Sequence, residues 1–116
     1  MNLLGGEAEQ LAAAFLQQQG MKLVTRNYQC RFGEIDLIMR DGKTLVFVEV
    51  RLRRNPNFGG AAMSITASKR QKLIRSAEHY LQQQGEAPCR FDAILMHSTS
   101  PEGIEWIKNA FDGELS

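Results

Sequence analysis

The spacing of apolar and polar positions changes several times along the chain, and each change marks an element. From Gly6 to Gln19 the apolar residues recur at helical spacing, and Gly20 closes the helix. On a 3.6-residue period Glu9 shares a face with Ala12, Ala13 and Leu16, while Glu7 points away. Lys22 to Cys30 predicts a first strand and Phe32-Gly33 a turn. Glu34 to Arg40 alternates polar with apolar, as a half-buried strand does. Asp41-Gly42 predicts a tight hairpin, and Thr44 to Arg51 is a strongly β-prone strand.

Arg53 to Ser64 holds Pro56, Gly59 and Gly60 and reads as a loop. Ser68-Lys-Arg-Gln71 resembles a capping box opening a helix to Gln84, with Leu73, Ile74, Ala77, Tyr80 and Leu81 as its core stripe. Gly85 and Pro88 stop it, Arg90 to His97 is a further strand, and Ile104 to Ile107 a short strand or extended tail. The order αβββαβ(β) predicts an α/β fold in which one sheet carries a helix on each side, with residues 1–116 forming one domain.

Composition narrows the function classes. With 23% charged and 43% hydrophobic residues the chain is globular. No apolar run approaches the ~20 residues of a membrane span, and the N-terminus lacks a secretory pattern. The isolated Cys30 and Cys89 fit reduced thiols, so the expected location is the cytoplasm, with no membrane partner. The formal net charge is only +1, yet residues 51–75 carry Arg51, Arg53, Arg54, Lys69, Arg70, Lys72 and Arg75 with no acid. That run suits a polyanion or a solvated face, and charge alone does not choose between them.

The candidate chemistry lies on the strands. Side chains alternate faces, so Glu49 and Arg51 share one face and Glu34 and Asp36 share another. The hairpin brings these strands together, and carboxylates aimed at one point repel unless a cation or proton joins them. Hard oxygen donors of this kind suit Mg²⁺ or Mn²⁺. Arg51 is placed to orient water or to meet a phosphate, and Glu9 to add a third carboxylate. Strand acids usually face solvent, but Glu49 in Val-Phe-Val-Glu-Val occupies an internal strand, whereas Glu34 follows a turn and reads as exposed. His79 and His97 lack zinc-ligand spacing and read as structural. Gly59-Gly60 matches no nucleotide-binding motif. Phe58 reads as a loop anchor before a base-stacking residue, and Trp106 and Phe111 as packing residues.

The stretches Glu9-x-x-Ala12-x-x-Phe15-Leu16, Asn27, Gly33-Glu-Ile-Asp-Leu-Ile38, Val46-Phe-Val-Glu-Val-Arg51, Gly59-Gly60, Lys69 and Arg90-Phe-Asp92 resemble the YraN family of uncharacterised bacterial proteins. They run over nearly the whole chain, and GEIDLI together with FVEVR is a specific combination. That family is similar in turn to the restriction-endonuclease-like superfamily, which includes archaeal Holliday-junction resolvases. The resemblance implies an αβββαβ core and a metal site of an Asp, a Glu-x-Lys and a helix Glu. Carried over, Asp36, Glu49 and Glu9 are the metal acids, and Arg51 stands in the lysine's place. Arginine keeps the charge but does not readily release a proton, so binding can outlast cleavage. Lys69 becomes a phosphate contact.

Three readings follow. The first is a Mg²⁺-dependent (or Mn²⁺-dependent) phosphodiesterase acting on DNA, with Asp36, Glu49, Arg51 and Glu9 as its centre. The second is an inactive nucleic-acid-binding module whose Arg51, Arg53, Arg54, Lys69, Arg70 and Lys72 contact phosphates. The third is a protein-interaction domain. Related resolvases also suggest a homodimer.

Overall fold

The computed structural model describes residues 5–52, 65–96 and 103–111. The elements are α1 (Gly5–Gln18), β1 (Lys22–Cys30), β2 (Gly33–Asp41), β3 (Thr44–Leu52), α2 (Ala67–Gln84), β4 (Cys89–Met96) and β5 (Ile104–Phe111). The five strands form one sheet in the order β1-β2-β3-β4-β5. Five strands in sequential order would suggest a simple meander, but β3 and β4 run parallel while the other neighbours run antiparallel. A parallel pair needs a crossover, and α2 supplies it. The result is a mixed sheet between two helices, as the element order predicted, and it matches the restriction-endonuclease-like core that the family resemblance implied.

Two apolar layers hold the helices to the sheet. On one face Ala8, Ala12, Ala13 and Leu16 of α1 cover Leu37, Met39, Val46, Val48, Ile94 and Met96. The small side chains of α1 let its backbone lie close to the sheet. On the other face Leu73, Ile74, Ala77 and Tyr80 of α2 cover Ile35, Ile38, Leu45, Phe47 and Phe91. Residues 45–49 of β3 are buried without a break, as a strand covered on both faces requires. Each fully buried side chain of this size contributes roughly 1.5–3 kcal/mol.

Several boundaries depart from expectation for local reasons. The β2–β3 loop is Gly42-Lys43, because Asp41 pairs with Thr44 and stays in the ladder. Gly42 takes φ +62, which a hairpin accepts from glycine at the first loop position. The cap of α2 is Thr66 rather than Ser68: Thr66 Oγ1 accepts from Lys69 N at 3.1 Å. Ser68 is already inside the helix, so the capping-box reading fails by two residues. Thr66→Ala should therefore cost about 1 kcal/mol, and Ser68→Ala much less, in denaturant titrations. Equal losses would contradict the assignment. Leu81 completes the stripe at its margin, half-buried against the same cluster, and Ser76 is buried alongside it. β5 continues to Phe111, which stacks on Phe91 with ring centroids 4.8 Å apart. The loop from Arg53 to Ser64, with Phe58, Gly59 and Gly60, and also His97 lie outside the described residues.

Candidate metal centre

The alternation of side chains breaks at one place in β2. Ile35 and Ile38 pack under α2, but Leu37 and Met39 pack under α1. Ile35 and Leu37 are two residues apart and would share a face in a regular strand. The chain turns over between them, at Asp36. The neighbouring strand turns over at the opposed position. Arg26 pairs with Leu37 and Tyr28 with Ile35, which sets Asn27 across from Asp36. Arg26 reaches α1, donating to the Gly6 carbonyl at 3.1 Å, while Tyr28 packs toward α2. Between them Asn27 has φ +52, a left-handed conformation that asparagine tolerates better than most residues.

The same break parts β2 from β3. Their pairing runs from Asp41↔Thr44 to Leu37↔Val48. Beyond that point the Val50 N–H donates to Asp36 Oδ2 at 2.8 Å, so a side chain takes over from the backbone ladder. Asp36 thus sits in the seam between the strands, within reach of both sides of the sheet.

Carboxylate oxygens of Glu9, Glu34 and Asp36 lie within 4.8 Å of one another. Glu9 is 6% exposed, and its buried Oε1 has no hydrogen-bond partner among the described residues. Burial, and then the charge of Asp36, push the Glu9 carboxyl up to about 7, while an Asn27 hydrogen bond pulls it down. Asp36 is also raised, by burial first, with the Val50 N–H acting against that. These groups fit a divalent cation: the oxygen donors are hard, they crowd one another, and one buried oxygen lacks a partner.

Glu49 stands on the other side of Asp36. It is 4% exposed, burial and the Asp36 charge raise it to about 7, and Lys69 Nζ lies 3.2 Å from its Oε1. Arg51 is half-buried, and its charge also favours the ionised Glu49. Lys69, Lys72, Glu34, Asp36, Gly33 and Leu73 line a cleft of about 250 Å³ that opens beside the cluster. Gly33, at φ +150, takes a backbone conformation in the β1–β2 turn that favours glycine; space is not the reason, since a Cβ there would meet the Cβ of Lys72 at an ordinary 3.6 Å.

The structure thus gathers Glu9 and Asp36 into one acidic cluster with Glu34, and sets Glu49, paired with Lys69, close enough to Asp36 to feel its charge. Glu34, which its sequence position marked as exposed, is exposed and still joins the cluster. Arg70 and Lys72 are exposed on α2, and Arg53 and Arg54 lie outside the described residues. Asn27 had no sequence signal as a positioning residue beyond its presence in the family resemblance.

No described helix is long and apolar enough to cross a membrane. Residues 8–96 match the model of the uncharacterised protein family UPF0102. A UPF0102 protein of Methylobacillus flagellatus is 60% identical over 111 residues, covering 96% of this chain and 98% of the relative. One from Nitrosomonas europaea is 62% identical over 109 residues, covering 93% and 92%. One from Psychromonas ingrahamii is 53% identical over 111 residues, covering 95% and 90%. Identity at this level over nearly the full length of each relative bears out the YraN resemblance, and the chain belongs to the UPF0102 family.

Proposed function

We propose that this chain is a metal-dependent nucleic-acid phosphodiesterase acting on DNA, with Asp36, Glu34 and Glu9 as the ligands of one Mg²⁺ or Mn²⁺. The observation that carries the reading is the Glu9 carboxylate, which lies within 4.8 Å of two further carboxylates while its buried Oε1 has no hydrogen-bond partner among the described residues. Evolution rarely leaves such an oxygen unsatisfied without a use for it. A bound cation would supply Lewis acidity and a more acidic water at this point. Lys69 supplies the compact ammonium that Arg51 lacks in the motif's lysine place, and Glu49 holds it beside the cluster. With its side chain 45% exposed, Lys69 is open to a phosphate oxygen entering the cleft. The test is cleavage of labelled single-stranded, duplex and four-way-junction DNA in Mg²⁺ or Mn²⁺ against EDTA. Cutting that persists in EDTA would defeat the reading.

Arg51 favours a second reading, a module that binds but no longer cuts. It predicts binding that weakens steeply with salt, and no cleavage under any metal.

The raised carboxyls give a thermal signature. Glu9 and Glu49 bind protons more tightly folded, at about 7, than at the ordinary 4.5. Between those values the folded state holds more protons than the unfolded state, so stability falls as pH rises. That contribution is complete below about 4.5 and lost above about 7. Mg²⁺ takes the ionised form, so it should raise the melting temperature at pH 8 and leave it unchanged at pH 5. A Mg²⁺ shift equal at both pH values would contradict the assignment.

A further inference from the structure

One face of α2 leads away from the acidic cluster. Lys69, Lys72 and Arg75 are exposed along it, and His79 follows one turn later. At a rise of ~1.5 Å per residue these positions span about 15 Å. The row ends at a separate cleft of about 200 Å³ lined by Arg31, Phe32, Arg75, Glu78, His79 and Gln82. The two clefts are neighbours at the β1–β2 turn, since Phe32 lines one and Gly33 the other.

The second cleft is built from aromatic walls. Tyr28 Oη pairs with His79 Nδ1 at 2.6 Å, which fixes the imidazole. Phe32 stands edge-on to His79 with ring centroids 6.0 Å apart, and the Arg31 guanidinium lies 4.8 Å from the Phe32 ring centroid. Resting on the proposed function, we infer that this cleft receives an unpaired base of the nucleic acid whose phosphate lies at the acidic cluster. Phe32 and Arg31 offer planar faces for stacking, which every base can use. Glu78 and Gln82 offer polar groups to a base edge, and Arg75, Lys72 and Lys69 carry the intervening backbone. Among the described lining residues Glu78 is the one acid, set against two arginines. A base held in a duplex stack does not reach such walls, so the substrate class is nucleic acid with an unpaired stretch beside the reacting phosphate.

The experiment uses the full chain in EDTA, with fluorescence anisotropy on labelled single-stranded DNA and on a duplex of equal length. The wild type should prefer the single strand. Phe32→Leu, which keeps bulk but removes the aromatic face, should weaken single-strand binding about tenfold with an unchanged salt slope. Arg75→Ala, at an exposed position, should weaken it and flatten the salt slope by about 0.7. Equal affinity for duplex, or affinity for the single strand that ignores Phe32→Leu and Arg75→Ala, overturns the inference and leaves the metal centre standing. Cutting that survives loss of the Asp36 charge does the reverse. Absence of binding to both DNAs overturns this inference too.

Discussion

Asp36→Asn is expected to lose Mg²⁺-dependent cutting by about a thousandfold or more, with a melting temperature in EDTA close to that of the parent. Two roles meet in this side chain and must be separated. It accepts the Val50 N–H where β2 and β3 part, and it supplies charge to the acidic cluster. Alanine would remove both, leaving a donor without a partner at a cost of about 1–3 kcal/mol. Asparagine keeps an acceptor for Val50 and removes only the charge. A metal site contributes several kcal/mol of charge stabilisation, and each 1.4 kcal/mol is about tenfold in rate. Asp36→Asn should also abolish the Mg²⁺ effect on melting at pH 8. Full cutting by this variant, with the Mg²⁺ effect intact, would show that the acid is structural.

The largest effect on stability is expected at Asp92, far from that chemistry. Asp92 is 0% exposed and accepts from Trp106 Nε1 at 3.0 Å, from the Asn109 N–H at 3.0 Å and from Arg90 Nε at 3.1 Å. Arg90 continues to Asp41 at 3.1 Å, tying β4 to the end of β2. Asp92→Ala would strand the indole donor and leave Arg90, largely buried, short of its counter-charge. Removal of one partner from such a pair costs about 3–5 kcal/mol. At about 4–8 °C per kcal/mol the melting temperature should fall by at least ten degrees. Asp92→Asn keeps two acceptor contacts and should lose less. A drop of only a degree or two for Asp92→Ala would mean that the network contributes little.

The fold was legible because its elements announce themselves by period. Val46 and Val48 on one face and Leu45 and Phe47 on the other mark β3 as central, and the alternation in β2 marks its neighbour. What period could not reveal was its own failure. A strict alternation puts Ile35 and Leu37 on one face, and nothing local to β2 says otherwise. The reversal depends on Asn27 across the ladder, and on the helix acid Glu9 that waits on the far side. For that reason Glu9, Asp36 and Glu49 were legible as converging acids, while the division into a Glu9–Glu34–Asp36 group and a Glu49–Lys69 pair was not. Asp92 has no role legible in the Arg90-Phe-Asp92 stretch, because two of its donors come from Trp106 and Asn109, farther along the chain.

The two kinked asparagines have a consequence for colloidal behaviour. β1 and β5 are the outer strands of the sheet, and each contains a left-handed asparagine, Asn27 at φ +52 and Asn109 at φ +51. Each also meets its neighbour through a register shift, at Leu23/Thr25 in β1 and opposite Phe91/Ala93 in β5. A straight outer strand is a template on which a stray β segment can add and aggregate. Here a segment docking on either rim finds its run of donors and acceptors interrupted partway. The turn of backbone that delivers Asp36 to Glu9 thus also blunts one rim of the sheet against amyloid-like growth, and Asn109 does the same for the other.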